Sequence, residues 1–231
     1  MSNTATDRSP AEERTFAFVD LAGFTALTEI HGDDEAVQQV DRFVNLTRTS
    51  LEGGGQLVKC LGDAVMLSFE DPEAALGALE RLLIGCQDLE NLPVPRAGVH
   101  SGPAIERDGD WFGATVNLAA RVAGQAQGGQ TLATTHVANA ARARSIPVVG
   151  LGCFSLRNIA QPVELYELEL VAPTEATSID PVCRMQVRHG DAIGRLRHGD
   201  HDYWLCSLTC ARTFTEHPER YAVVANTEAD S

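Results

Sequence analysis

Residues 55–69 read GQLVKCLGDAVMLSF. Val58, Val65, Met66, Leu67 and Phe69 favour extended backbone and Gly62-Asp63 supplies a turn, so the stretch predicts a β-hairpin. A turn accounts for Asp63. It does not account for Lys59, an opposite charge four residues earlier beside an apolar run. The two charges are either solvated decoration or parts of a site for a charged ligand.

Working outward, the 231 residues and 44% hydrophobic content suit one medium domain with an appendage. A formal charge of −14 argues against a general nucleic-acid or anionic-membrane surface, since both need a basic face. A small polyanion remains compatible, provided metal ions and a few local cations receive it. The opening MSNTATDRSPAEER is polar and of mixed charge, unlike a signal peptide. No apolar run approaches the roughly 18 residues of a membrane span. The expectation is a soluble, cytoplasmic protein with no membrane or nucleic-acid partner. Six cysteines are too few for a disulfide scaffold, and three of them, Cys183, Cys206 and Cys210, fall in the last fifth of the chain.

Along its length the chain divides into a disordered leader (1–14), a region of alternating strands and helices (15–170), a Pro-containing linker (171–178), a small module (179–221) and a tail (222–231). TFAFVDLAGFT (15–25) reads as a strand. DEAVQQVDRFVNLTRTSLE (34–52) reads as a helix with Val37, Val40, Phe43, Val44 and Leu51 on its apolar side, closed by Gly53-Gly54-Gly55. After the hairpin, Asp71-Pro72 starts a second helix through Leu89. RAGVHSGPAIE (96–106) is a strand, TVNLAARVAGQA (115–126) a helix, and QTLATTHV (130–137) and VELYELEL (163–170) further strands. The order β-α-β-β-α-β is that of an α+β, ferredoxin-like core with additional elements after it.

In that order the hairpin packs beside the first strand, and Asp20 and Asp63 can meet at one rim. Two carboxylates with phosphate oxygens and water are a usual cradle for Mg²⁺, although each Asp taken singly suits a turn. Asn117 and Arg121, at i and i+4, share a helix face that could equally be solvated surface.

The motifs FAFVDLAGFTALTE (16–29), VKCLGDAVMLSF (58–69), RAGVHSGP (96–103) and DWFGATVNLAARVAGQAQGGQTL (110–132) occur in one order and spacing. In that pattern residues 15–170 resemble the class III nucleotidyl cyclase catalytic domain. The resemblance implies two Mg²⁺ or Mn²⁺ ions per site on Asp20 and Asp63, with the backbone carbonyl of Leu21. It implies Lys59 and Asp110 as readers of adenine. The chemistry agrees, because a Lys donor meets adenine N1 and an Asp acceptor meets the 6-amino group, whereas guanine inverts the pattern. It further implies that Asn117 orients the ribose and Arg121 stabilises charge on the phosphoryl group. Arg157, in SLRNIAQPVELYEL (155–168), stands near the position where the family often has a phosphate-gripping Lys. The implied protein is an adenylyl cyclase acting on ATP, a homodimer whose sites lie between subunits. Asp20 and Asp63 then come from one chain and Lys59, Asp110, Asn117 and Arg121 from the other. A different class of function is a metal-sensing or metal-trafficking protein whose cyclase-like domain only dimerises or binds nucleotide.

The string DPVCRMQV…YWLCSLTCARTFTEHPERYA (180–222) resembles the YHS domain, with Arg184 where that family usually has Gly. Cys183, Cys206 and Cys210 would converge as thiolates for Zn²⁺ or Cu⁺, with His198, His201 or His217 as a candidate fourth ligand. Three small buried hydrophobes in a tiny core are the simpler alternative.

Overall fold

The computed structural model describes residues 11–89, 91–172 and 177–222. Its centre is β1 (Glu12–Leu21), whose run Phe16-Ala17-Phe18-Val19 is buried on both faces of the sheet. Side chains alternate across a strand. Ala17, Val19 and Leu21 therefore join one hydrophobic cluster, while Phe16 and Phe18 join another on the opposite face. The strand starts at Glu12, three residues inside the expected leader. Glu12–Arg14 pair with Gly102–Ala104, and the Arg14 guanidinium lies over the Trp111 ring. Residues 1–10 of that leader lie outside the described residues.

Two helices follow, α1 (Phe24–His31) and α2 (Asp33–Ser50). The first strand ends at Leu21, not at the expected Thr25, and α1 takes up the residues from Phe24. The left-handed backbone at Gly23 (φ 83°) ends the extended stretch and opens the helix. On α2, Phe43 and Val44 are buried as expected, but Val37 is 59% exposed, so the apolar stripe is narrower than the sequence suggested. The hairpin forms as expected, β2 (Gln56–Leu61) and β3 (Ala64–Phe69) around Gly62-Asp63. α3 (Pro72–Asp88) begins at Asp71, whose carboxylate accepts from the Ala74 amide.

β4 (Pro95–Arg107), β5 (Asp110–Phe112), α4 (Ala114–Ala123), β6 (Thr131–Thr134), α5 (Thr135–Ala143), β7 (Val148–Phe154) and β8 (Val163–Leu168) complete the larger unit. The sheet order is β2-β3-β1-β4-β6-β8-β7, with β5 paired to β4. Its first four strands are the ferredoxin-like arrangement. Residues 135–137 are helical, not extended. Val137, Ala138, Ala140 and Ala141 bury one face of α5, and that packing overrides the local β-branched preference. β7 was not anticipated, because Gly150 and Gly152 interrupt its pattern and a register shift separates them. α3 and α5 pack on one face of the sheet and α4 on the other. Gly98 permits the close seat of α4: a Cβ there would lie 2.0 Å from the Ala123 nitrogen.

The C-terminal module comprises β9 (Thr177–Ile179), β10 (Gln186–Arg188), β11 (Gly194–His198), β12 (His201–Leu205), α6 (Leu208–Glu216) and α7 (Pro218–Tyr221). β9 already occupies the end of the expected linker, and residues 173–176 lie outside the described residues. The module is docked rather than tethered. Leu27 and Ala36 from α1 and α2 share a core with Val182, Met185, Tyr203, Leu205 and Phe214. The Gln186 amide donates to the Leu92 carbonyl at 3.0 Å, and Arg188 donates to the Asp88 carbonyl. No helix among the described residues is long and apolar enough to cross a membrane.

Candidate functional site

The hairpin places its charges as the sequence suggested. Asp20 pairs with Ala64 across β1 and β3, which brings it beside Asp63 in the turn. Burial, then the charge and hydrogen bond of Asp20, push the Asp63 carboxyl up to about 6, against the opposing pull of its backbone and Arg96. Such a pair is short of positive charge. Leu21, the next residue, is buried in the main cluster.

Arg96 joins this candidate site, and nothing in its own sequence neighbourhood marks it. It faces Asp20 in the β1–β4 register, donates from Nε to Asp20 Oδ2 at 2.9 Å, and donates a second bond to the same oxygen from Nη2. Its Nη1 reaches the Ala126 carbonyl at 3.3 Å. The motif RAGVHSGP contained it. What makes it part of the site is a cross-strand partner 76 positions away.

Lys59 on β2 and Asp110 on β5 also meet. Lys59 Nζ donates to both carboxylate oxygens at 2.8 and 2.6 Å. The hydrogen bond from Lys59 is the chief cause holding the Asp110 carboxyl below its ordinary range. α4 presents Asn117 and Arg121 to solvent while Val116, Ala119 and Ala123 lock its inner face. Arg157 is exposed in the connection after β7. Its neighbour Leu156 packs with Val122 and Ala126 near the end of α4. Among the described residues, no hydrogen bond or ion pair links Lys59, Asp110, Asn117 or Arg121 to the Asp20–Asp63 pair. Around these groups Leu61, Ile105 and Phe112 are 49%, 43% and 51% exposed. A cavity of about 680 Å³ lies elsewhere, between β8 and the start of the C-terminal module, and none of the candidate catalytic residues lines it.

In the C-terminal module the three cysteines converge, and the fourth group is not one of the expected histidines. His31, the last residue of α1, brings Nε2 to 3.6 Å from Cys206 Sγ and 3.8 Å from Cys210 Sγ. Cys183 and Cys206 sulfurs are 3.5 Å apart, and Cys206 and Cys210 3.6 Å. His198 instead stands edge-on to Phe214, and His217 lies beside Glu219. Asp180, fully buried, organises the loops: Oδ1 accepts from the Val182 and Cys183 amides and Oδ2 from Cys206. Hydrogen bonds from Cys183 and Cys206 pull the Cys210 thiol well below its usual range, while Cys183 is pushed up by the same contacts. Arg184 has left-handed backbone (φ 66°), which explains why glycine suits that position.

No protein-family model matches the chain. A pH-sensitive adenylate cyclase of Mycobacterium tuberculosis is 40% identical over 130 residues, covering 56% of this chain and 33% of that protein. An adenylate cyclase of Glutamicibacter nicotianae is 34% identical over 130 residues, covering 56% and 32%. The chain thus spans about a third of the length of these relatives. Among solved structures, an adenylate cyclase from Trypanosoma brucei in its monomeric state superposes with a TM-score of 0.65 at 23% identity, over 75% of this chain and 96% of that one. The larger unit has the mixed α+β fold of class III cyclase catalytic domains.

Proposed function

We propose that the chain is an adenylyl cyclase, converting ATP to 3′,5′-cyclic AMP and pyrophosphate in two equivalent sites between the subunits of a homodimer. The observation that carries this reading is the Asp20–Asp63 pair, which the β1–β3 register sets side by side, with burial and Asp20 pushing the Asp63 carboxyl up to about 6. An oxygen-rich, electron-dense pair of this kind fits Mg²⁺ or Mn²⁺, with the Leu21 carbonyl as a further oxygen donor. When bound, such cations lower the pKa of the ribose 3′-hydroxyl and neutralise the triphosphate.

The remaining work belongs to side chains. Lys59 donates to adenine N1, and Asp110, kept ionised, accepts from the 6-amino group; in the free protein each satisfies the other. Asn117 orients the ribose so that its 3′-oxygen lies in line with the α-phosphorus. Arg121 stabilises the charge that builds on the α-phosphoryl oxygens, and Arg157 holds the outer phosphates. Arg96 keeps the Asp20 carboxylate oriented and partly neutralised until the ions arrive. The exposed Leu61, Ile105 and Phe112 beside these groups support a second subunit as their cover. The cysteine-bearing module binds a metal ion and regulates the catalytic unit.

Mixing two inactive variants tests the shared site. Asp63→Ala and Arg121→Ala homodimers each lack a complete site. After subunit exchange, half the dimers are mixed and carry one whole site each, so about a quarter of wild-type activity returns by symmetry counting. Exchange without recovery would mean that each chain holds its own site.

A further inference from the structure

The three-cysteine site has a fourth wall supplied by the catalytic unit, and this wall has a consequence for the Asp20 turn. Tetrahedral Zn²⁺ with metal–sulfur bonds of about 2.3 Å places its ligand atoms about 3.5–3.8 Å from one another. Four of the separations fall in that range: 3.5 and 3.6 Å between sulfurs, and 3.6 and 3.8 Å from sulfur to His31 Nε2. All four ligand atoms lie within 4.8 Å of one another. A disulfide would use two sulfurs and leave the third thiol and the imidazole unexplained. Plain hydrophobic burial does not account for the set either, because His31 and Cys206 are only half-buried. The backbone is also arranged for ligation. Asp180 takes amides from both cysteine loops, and Ser207 caps α6 by accepting from the Cys210 amide at 3.1 Å.

The same module holds the other end of α1. Arg184, next to Cys183, lies against Gly23: a Cβ on Gly23 would come within 2.4 Å of the Arg184 Cβ and Cγ. Leu27, at the middle of α1, is fully buried in the shared core. Thus α1 is gripped at Gly23, Leu27 and His31. Gly23 is three residues beyond Asp20.

We propose that His31, Cys183, Cys206 and Cys210 form one closed four-ligand site for a thiophilic divalent cation of the Zn²⁺ class, and that loading it fixes α1 and the Asp20–Gly23 turn against the C-terminal module. The proposal rests on reading the cysteines as a metal site and adds the ligand that joins this site to the catalytic unit. Four protein ligands leave no open position, so the ion organises structure and takes no part in the phosphoryl chemistry. The imidazole favours a borderline ion such as Zn²⁺ over Cu⁺, which an all-sulfur set would suit better.

The test uses the full chain, metal-stripped and kept reduced. Zn²⁺ is titrated against a chromophoric chelator, and Co²⁺ is added in parallel to read coordination from its visible bands. The wild type should bind one Zn²⁺ per chain and give intense tetrahedral Co²⁺ bands. Cys206→Ser should lose binding. His31→Ala, a truncation at a half-buried position, should bind at least tenfold more weakly with shifted Co²⁺ bands. Hydrogen exchange supplies the second readout: Zn²⁺ should slow exchange of the 24–31 amides in the wild type and not in His31→Ala. Failure of the wild type to bind either ion overturns the metal site altogether. Equal Zn²⁺ affinity and Co²⁺ spectra in wild type and His31→Ala leave a three-thiolate site and overturn the bridging ligand. Zn²⁺ binding that leaves α1 exchange unchanged overturns the coupling. None of these readouts depends on cyclase activity.

Discussion

Replacing Asp63 by Asn should make the metal-free protein more stable and inactive. The Asp63 carboxyl titrates near 6 instead of its ordinary 3.8 because burial and Asp20 oppose its charge. That displacement equals about 3 kcal/mol at full weight. Asp63 is only half-buried, and screening by solvent leaves about 1 kcal/mol. The sign follows from proton counting. Between pH 3.8 and 6 the native state holds a proton that the unfolded chain has released, so stability falls as pH rises through that window. Above pH 6 the penalty is present in full. Asn cannot ionise and escapes it. In urea titrations at pH 7.5 the variant should therefore exceed the wild type by about 1 kcal/mol, with the gap narrowing at pH 5 and closing below pH 4. His100, pushed down to about 4 by burial and then by His136, titrates across the same range with the opposite sign, its contribution being lost as pH falls below 6.5. It is common to both proteins and cancels in the difference. Saturating Mn²⁺ should reverse the order, since an ion at 100 times its Kd adds about 2.7 kcal/mol to the protein that binds it. A variant no more stable than the wild type at pH 7.5 would refute the idea of a strained carboxylate pair.

Exchanging the base-reading pair, Lys59→Glu with Asp110→Cys, inverts donor and acceptor and should lower kcat/KM for ATP by about tenfold or more, with GTP use rising relative to ATP. Unchanged preference in a nucleotide competition assay would show that these residues do not read the base. At the domain junction, Leu27→Ala removes a fully buried side chain and should cost about 2–4 kcal/mol in chemical denaturation. A loss under about 1 kcal/mol would mean that α1 does not carry the docking of the module.

The sequence was most informative where periodicity and turn chemistry agreed. The hairpin at 55–69, the helix starting at Asp71-Pro72 and the helix carrying Asn117 and Arg121 lie where their patterns indicated. Asp20 and Asp63 come together because β1 and β3 are neighbours in the sheet, whereas Lys59 on β2 reaches Asp110 on β5 by a side-chain contact between strands that are not paired. What stayed hidden depended on distant partners. Arg96 acquires its role from Asp20 across a strand pair, and β7 is held by β8 despite two glycines. The histidine of the cysteine cluster lies 152 positions before Cys183 and in another unit, so nearby His198, His201 and His217 looked the better candidates. Local spacing cannot report a ligand delivered by docking.

The most direct measurement is turnover by the purified full chain with ATP or GTP and either Mn²⁺ or Mg²⁺, with product identified by chromatography and mass. The account predicts 3′,5′-cyclic AMP and an equal amount of pyrophosphate from ATP, with much less cyclic product from GTP, and loss of both products in Asp20→Ala. A folded dimer that forms no cyclic nucleotide from either substrate with either ion would contradict it.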